Sequence, residues 1–137
     1  MLNSNSHFLP SNLIVGVDLM DEQHAYLFAE LDALKRRCLE HNALPQDEAK
    51  ALLEALEVHF SSEHGLADDV AADFSTHDRK HQAMIGGIRK MISEVLHERM
   101  DVFSLIRYIE YWFERHILDE DRPLAEAIRH YRKICDA

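Results

Sequence analysis

Apolar residues recur at three- and four-residue intervals along nearly the whole chain, and no stretch alternates clearly with period two. That spacing calls for amphipathic helices and gives no sheet to build. A first helix is predicted from Asp18 or Asp21 to His41, with the stripe Met20, His24, Leu27, Phe28, Leu31, Leu34 and Cys38. Asn42-Ala-Leu-Pro45 breaks it, and Pro45 suits the first turn of a second helix. The second stripe is Leu52, Leu53, Leu56, His59, Phe60 and Glu63, with an end within 65–72, where Gly65 and Asp68-Asp69 leave its place open. Ser75 or Thr76 is a good N-cap for a third helix. Its stripe is His77, His81, Met84, Ile85, Ile88, Met91, Ile92 and Val95. Gly86-Gly87 weakens its middle by roughly 1 kcal/mol per glycine. Asp101 can cap a fourth helix carrying Val102, Leu105, Ile106, Ile109, Trp112, Phe113, His116 and Ile117. Pro123 is expected to interrupt it, before a short last helix with Leu124, Ile128 and Tyr131.

Four such helices with short connections predict an all-α, antiparallel up-down-up-down four-helix bundle. The expected layout is a single domain over 1–137. Residues 1–17 form an N-terminal arm, with Phe8, Leu9, Leu13, Ile14 and Val15 available to pack. The bundle occupies 18–120 and a short C-terminal helix occupies 123–136. A chain of 137 residues buries roughly two thirds of its unfolded surface, so it needs no disulfide scaffold. Cys38 and Cys135 form no CxxC pair and read as reduced thiols. No signal peptide or membrane span is legible, and a cytoplasmic protein is expected. The formal charge of −10 disfavours partners that need a basic surface, namely nucleic acid and anionic membranes.

The apolar stripe of every helix is interrupted by ligand-type residues: His24; His59 and Glu63; His77 and His81; His116. Burying one such group without a partner costs about 1–3 kcal/mol. Six would be ruinous unless they satisfy one another or bind something. His24 and the His77/His81 pair stand near helix starts, whereas His59, Glu63 and His116 stand near helix ends. An antiparallel bundle brings these positions into one layer. Residues four apart lie about 40° apart around a helix, so His59/Glu63 and His77/His81 each present two groups to one point. Imidazole and carboxylate together suit iron or zinc, and the number of ligands suits two ions better than one. A second carboxylate lies among Asp119, Glu120 and Asp121. Ideal helix geometry favours Glu120, four residues after His116; Asp121 is about 140° away unless the helix is locally distorted.

These segments resemble the hemerythrin family, in particular its single-domain bacterial members, from Gly16 to about Ile128. Gly16-Val-Asp-Leu-Met-Asp-Glu-Gln-His24 is similar to the entry into the family's first helix. His59-Phe-Ser-Ser-Glu63 is similar to its HFxxE motif and His77-Asp-Arg-Lys-His81 to its HxxxH. Trp112-Phe-Glu-Arg-His116-Ile-Leu-Asp-Glu-Asp121 is similar to its HIxxxD ending. The resemblance implies that His77, His81 and His116 bind one iron and that His24 and His59 bind the other. Glu63, Asp121 and an oxo or hydroxo group would bridge the two. It thereby prefers Asp121 to Glu120.

The resemblance further implies reversible O2 binding at the open position of the second iron, for oxygen storage, delivery or buffering, and a carrier rather than an enzyme. Phe28, Phe60, Trp112, Phe113 and Ile117 flank the ligands and could wall off water. The alternatives are a di-iron redox protein handling peroxide or nitric oxide, an oxygen or redox sensor, an iron-handling protein, or a zinc site. Five neutral imidazoles argue against the redox enzyme. O2 is the expected partner; the sequence names no protein partner. The chain departs from the family between its second and third helices. His64 follows Glu63, Ala67 replaces a methionine, Ala71-Ala72-Asp73-Phe74 replaces a Tyr-Pro, and the loop is about one residue shorter. His64 either points away from the site or adds a polar group at its edge. His7, His41, His97 and His130 read as solvated.

Overall fold

The computed structural model describes residues 9–136; Phe8 and His7 lie outside them. Four long helices follow one another: α1 (Asp18–His41), α2 (Gln46–Asp69), α3 (Ser75–Leu96) and α4 (Val102–His116). A π-helical segment, Ile117–Asp121, leads from α4 into α5 (Arg122–Asp136). α1 packs on α2 and α4, and α3 packs on the same two. With connections of only a few residues, this is the up-down-up-down bundle that the apolar spacing predicts. No strand occurs among the described residues.

The stripes turn inward as expected. Leu27, Leu31, Leu34 and Cys38 of α1 meet Leu52 and Leu56 of α2, Met84, Ile85 and Ile88 of α3, and Leu105, Ile106 and Ile109 of α4 in one apolar core. Phe28, Leu53, Met91, Ile92, Val95 and Trp112 pack at its margin, half-buried. On α5, Leu124 and Ile128 are buried, but Tyr131 is exposed. In the middle of α3, the Tyr108 hydroxyl lies 2.7 Å from where a Cβ on Gly87 would stand, so Gly87 admits a close contact from α4.

Two helix ends differ from expectation, and a third falls inside the expected range. α2 ends at Asp69, within the expected 65–72, in a Schellman motif. The N–H of Ala72 donates to the Ala67 carbonyl at 2.9 Å and that of Ala71 to Asp68 at 3.1 Å, with Ala71 at φ 55°. Neither Ser75 nor Thr76 caps α3. Phe74 occupies the cap position, and the Asp73 carboxylate accepts from the N–H and hydroxyl of Ser75 at 3.0 and 2.9 Å. Pro123 does not interrupt the helical run. It lies in the first turn of α5, directly after the widened π turn, where the Arg122 N–H donates back to Ile117. A wider turn relieves the clash and the lost donor that proline brings to a regular helix.

The arm is pinned rather than loose over its described part. Leu13, Val15 and Val17 are buried, while Ile14 faces solvent. The Asp21 carboxylate accepts from the N–H groups of Val15 and Gly16 at 2.8 and 3.1 Å. Arg129 and Arg122 of α5 donate to the carbonyls of Val15 and Asn12. Gly16 adopts φ +87°, and a Cβ there would stand 2.6 Å from the Arg129 guanidinium.

Candidate metal centre

Among the described residues, the buried polar or charged side chains are His24, His59, Glu63, His77, His81, His116 and Asp121. These are the seven that the sequence and its resemblance single out, and they come together at one end of the bundle. Antiparallel packing does this. The first turns of α1 and α3 lie level with the last turns of α2 and α4.

The ligand atoms form two groups, each with all members within 4.8 Å of one another. One holds Glu63, His77, His81, His116 and Asp121; the other holds His24, His59, Glu63 and Asp121. Glu63 and Asp121 belong to both, and each divides its oxygens. Glu63 Oε1 lies 3.0 Å from His81 Nε2 and 3.5 Å from His77 Nε2, while Oε2 lies 3.2 Å from His59 Nε2. Asp121 Oδ1 lies 2.9 Å from His77 Nε2 and 3.0 Å from His116 Nε2, while Oδ2 lies 2.9 Å from His24 Nε2.

The π segment explains Asp121. With i→i+5 bonding, a residue five places on returns to nearly the same face, so Asp121 joins His116 inside. Glu120 instead takes the rear of the His116 ring, with its Oε1 3.1 Å from Nδ1. Both carboxylates weighed in the sequence thus have places, one on each side of His116. Behind His59, Nδ1 donates to Gln23 Oε1 at 2.6 Å, and Gln23 Nε2 donates to Ser62 Oγ at 3.1 Å. Neither Gln23 nor Ser62 shows in the sequence reading, because hydrogen-bonding partners behind a ring carry no spacing signature of their own.

The inward atoms fit a cation. His24 Nε2, His59 Nε2, both Glu63 oxygens and Asp121 Oδ2 are buried without a hydrogen bond from the protein. Close approach without hydrogen-bond geometry suits donors aimed at a common centre, and buried polar atoms left so would be costly otherwise. Imidazole nitrogens with carboxylate oxygens are the donor set of borderline divalent metals. The charges agree. Burial favours neutral His24, yet Asp121 and Glu63 outweigh it and push its pKa up to about 9. Burial likewise opposes charge on His116 and His77, but the same carboxylates raise both. His81 is held below its ordinary value, by burial and by the neighbouring His116 and His77. Burial favours the acid form of both carboxylates, but the surrounding imidazoles hold Glu63 and Asp121 below the usual range. Such a set binds protons where it would bind a metal.

Aromatic rings close the walls. Phe60 stacks on His81 at 3.7 Å, and Trp112 stacks on His116 at 4.9 Å. Phe113 presents a perpendicular ring to His24 and His59, at 5.7 and 6.4 Å, and Phe28 backs it at 5.0 Å. Ile117 is fully buried. One wall was missed: Phe74 stacks on His77 at 4.5 Å. An apolar residue just before HxxxH was its only signal. His64 stacks on Phe74 at 5.0 Å and is exposed, so it lies outside the site. His41, His97 and His130 are exposed, as expected.

No curated protein and no solved structure matches the chain. The family model of the hemerythrin HHE cation-binding domain matches residues 15–128, from the arm to α5, and spans all seven residues of the cluster. The chain belongs to the hemerythrin HHE cation-binding domain family.

Proposed function

We propose that the protein binds O2 reversibly at a di-iron centre and serves as an oxygen store, carrier or buffer rather than as an enzyme. The observation that supports this best is the uneven division of donors around two shared carboxylates. His77, His81 and His116 make three imidazoles on one side, and His24 and His59 make two on the other. The His24–His59 side thus offers one imidazole fewer and would leave an ion bound there room for an exogenous ligand. Two ferrous ions, when bound, supply the electrons and the open position that reversible O2 binding requires.

The chain's own residues do the rest. Glu63 and Asp121 hold the two metal positions together and offset their charge. Phe113, backed by Phe28, lies against the two-histidine side and excludes water there. Phe60, Trp112 and Ile117 exclude it elsewhere. Water exclusion matters because solvent and protons promote loss of electrons from the metals to O2. Five imidazoles to two carboxylates stabilise the lower metal charge, which favours a carrier over an oxidising enzyme. O2 is the partner in this reading, and the cytoplasm its site of action.

The test is metal content and an optical spectrum of anaerobically reduced protein, then exposed to O2, then returned to inert gas. Two irons per chain and a visible charge-transfer band that comes and goes with O2 are expected. A one-way change to a stable ferric spectrum would overturn the carrier reading in favour of a redox protein. Zinc in place of iron would overturn it altogether.

A further inference from the structure

Each half of the cluster has one histidine anchored from behind, and the two anchors differ in charge. His116 Nδ1 donates to the Glu120 carboxylate at 3.1 Å. His59 Nδ1 donates to the neutral Gln23 amide at 2.6 Å, and that amide is itself fixed by Ser62. His24 Nδ1 and His81 Nδ1 have no such partner. An anionic acceptor behind a ligating imidazole makes the ring a stronger donor, and a neutral amide does so less. The anion stands in the half that already has more donors: three imidazoles against two.

We infer that Glu120 and Gln23 are positioning residues that set an order of metal loading. The His77–His81–His116 half, backed by Glu120, takes the first divalent ion; the His24–His59 half, backed by Gln23, takes the second. The inference rests on the two-metal reading of the site. One further effect separates the two steps, and another bears on access. The first ion takes up part of the negative charge of Glu63 and Asp121, which leaves less for the second. His77 is the least buried of the seven side chains, so the stronger half is also the one nearest solvent.

Metal-free protein titrated anaerobically with Co2+ alone, followed by calorimetry and visible absorption, tests this. Wild type should take two ions in resolved steps. Glu120→Gln keeps the hydrogen-bond acceptor but removes its charge. It should weaken the tight step by about 10–100-fold and leave the weak step in place. Gln23→Glu should strengthen the weak step and narrow the gap. His59→Ala should abolish the weak step and spare the tight one. Two equal steps in wild type, a Glu120→Gln effect shared equally by both steps, or a tight step lost in His59→Ala would each overturn the order while leaving a two-metal site. Uptake of fewer than two ions by wild type would overturn the two-metal reading itself, and the order with it.

Discussion

At the scale of single residues, Glu63 and Asp121 determine what the cluster can do, because each carboxylate faces both histidine sets with different oxygens. His116→Ala or His77→Ala should therefore cost the three-histidine half its ion. Metal analysis after desalting checks this, and retention of two ions with an unchanged spectrum would refute the assignment. Protons compete for the same atoms. In the metal-free protein, the pKa of His24 rises from 6.5 to about 9 on folding. That group's contribution to stability is complete below about pH 6.5 and is lost as pH rises through about 9. The lowered carboxylates act oppositely; their contribution is present above the ordinary carboxylate range and is lost in acid. Metal binding displaces the histidine protons, so the stabilisation it adds should grow with pH. Thermal midpoints of metal-free and metal-loaded protein between pH 6 and 9.5 should diverge; curves that stay parallel would contradict proton–metal competition.

At the scale of elements, the helix ends hold the surprises. Both α2 and α3 close in Schellman motifs whose left-handed residue is not glycine: Ala71 at φ 55° and Glu98 at φ 59°. A left-handed residue with a Cβ costs about 1 kcal/mol. Ala71→Gly and Glu98→Gly should each raise stability by up to about that amount, as read by denaturant midpoint at constant slope. A fall in the midpoint would show that the greater chain entropy of glycine outweighs the relief of strain. Without a glycine at either place, these two ends carry no sequence signal. The π segment is equally silent. Nothing in Ile117-Leu-Asp-Glu-Asp121 says that the turn widens, although Pro123 just beyond it is consistent with a turn that a regular helix would not tolerate.

At the scale of the whole molecule, ligands from all four bundle helices and from the π segment meet in one layer, so a bound cation ties those elements together. Each ion present at 1,000 times its dissociation constant adds about 4 kcal/mol to folding. Chelation should thus lower the thermal midpoint markedly, and an unchanged midpoint would show that the layer is stable without metal. The arm is tied to the start of α1 and to α5. Gly16→Ala forces a Cβ into both a left-handed backbone and the Arg129 guanidinium. It should cost about 1–2 kcal/mol and expose the arm to protease first. The sequence by itself determined the four helices, the direction of their stripes and six of the seven clustered side chains, because the 3.6-residue period and a polar residue on an apolar face are both local facts. Asp121 followed from resemblance to a family. Tertiary structure alone decided how Asp121 turns inward, which oxygen faces which histidine, that Glu120 and Gln23 stand behind the rings, and that Phe74 stacks on His77. These depend on a five-residue turn and on contacts between helices far apart in sequence, and no local periodicity encodes either.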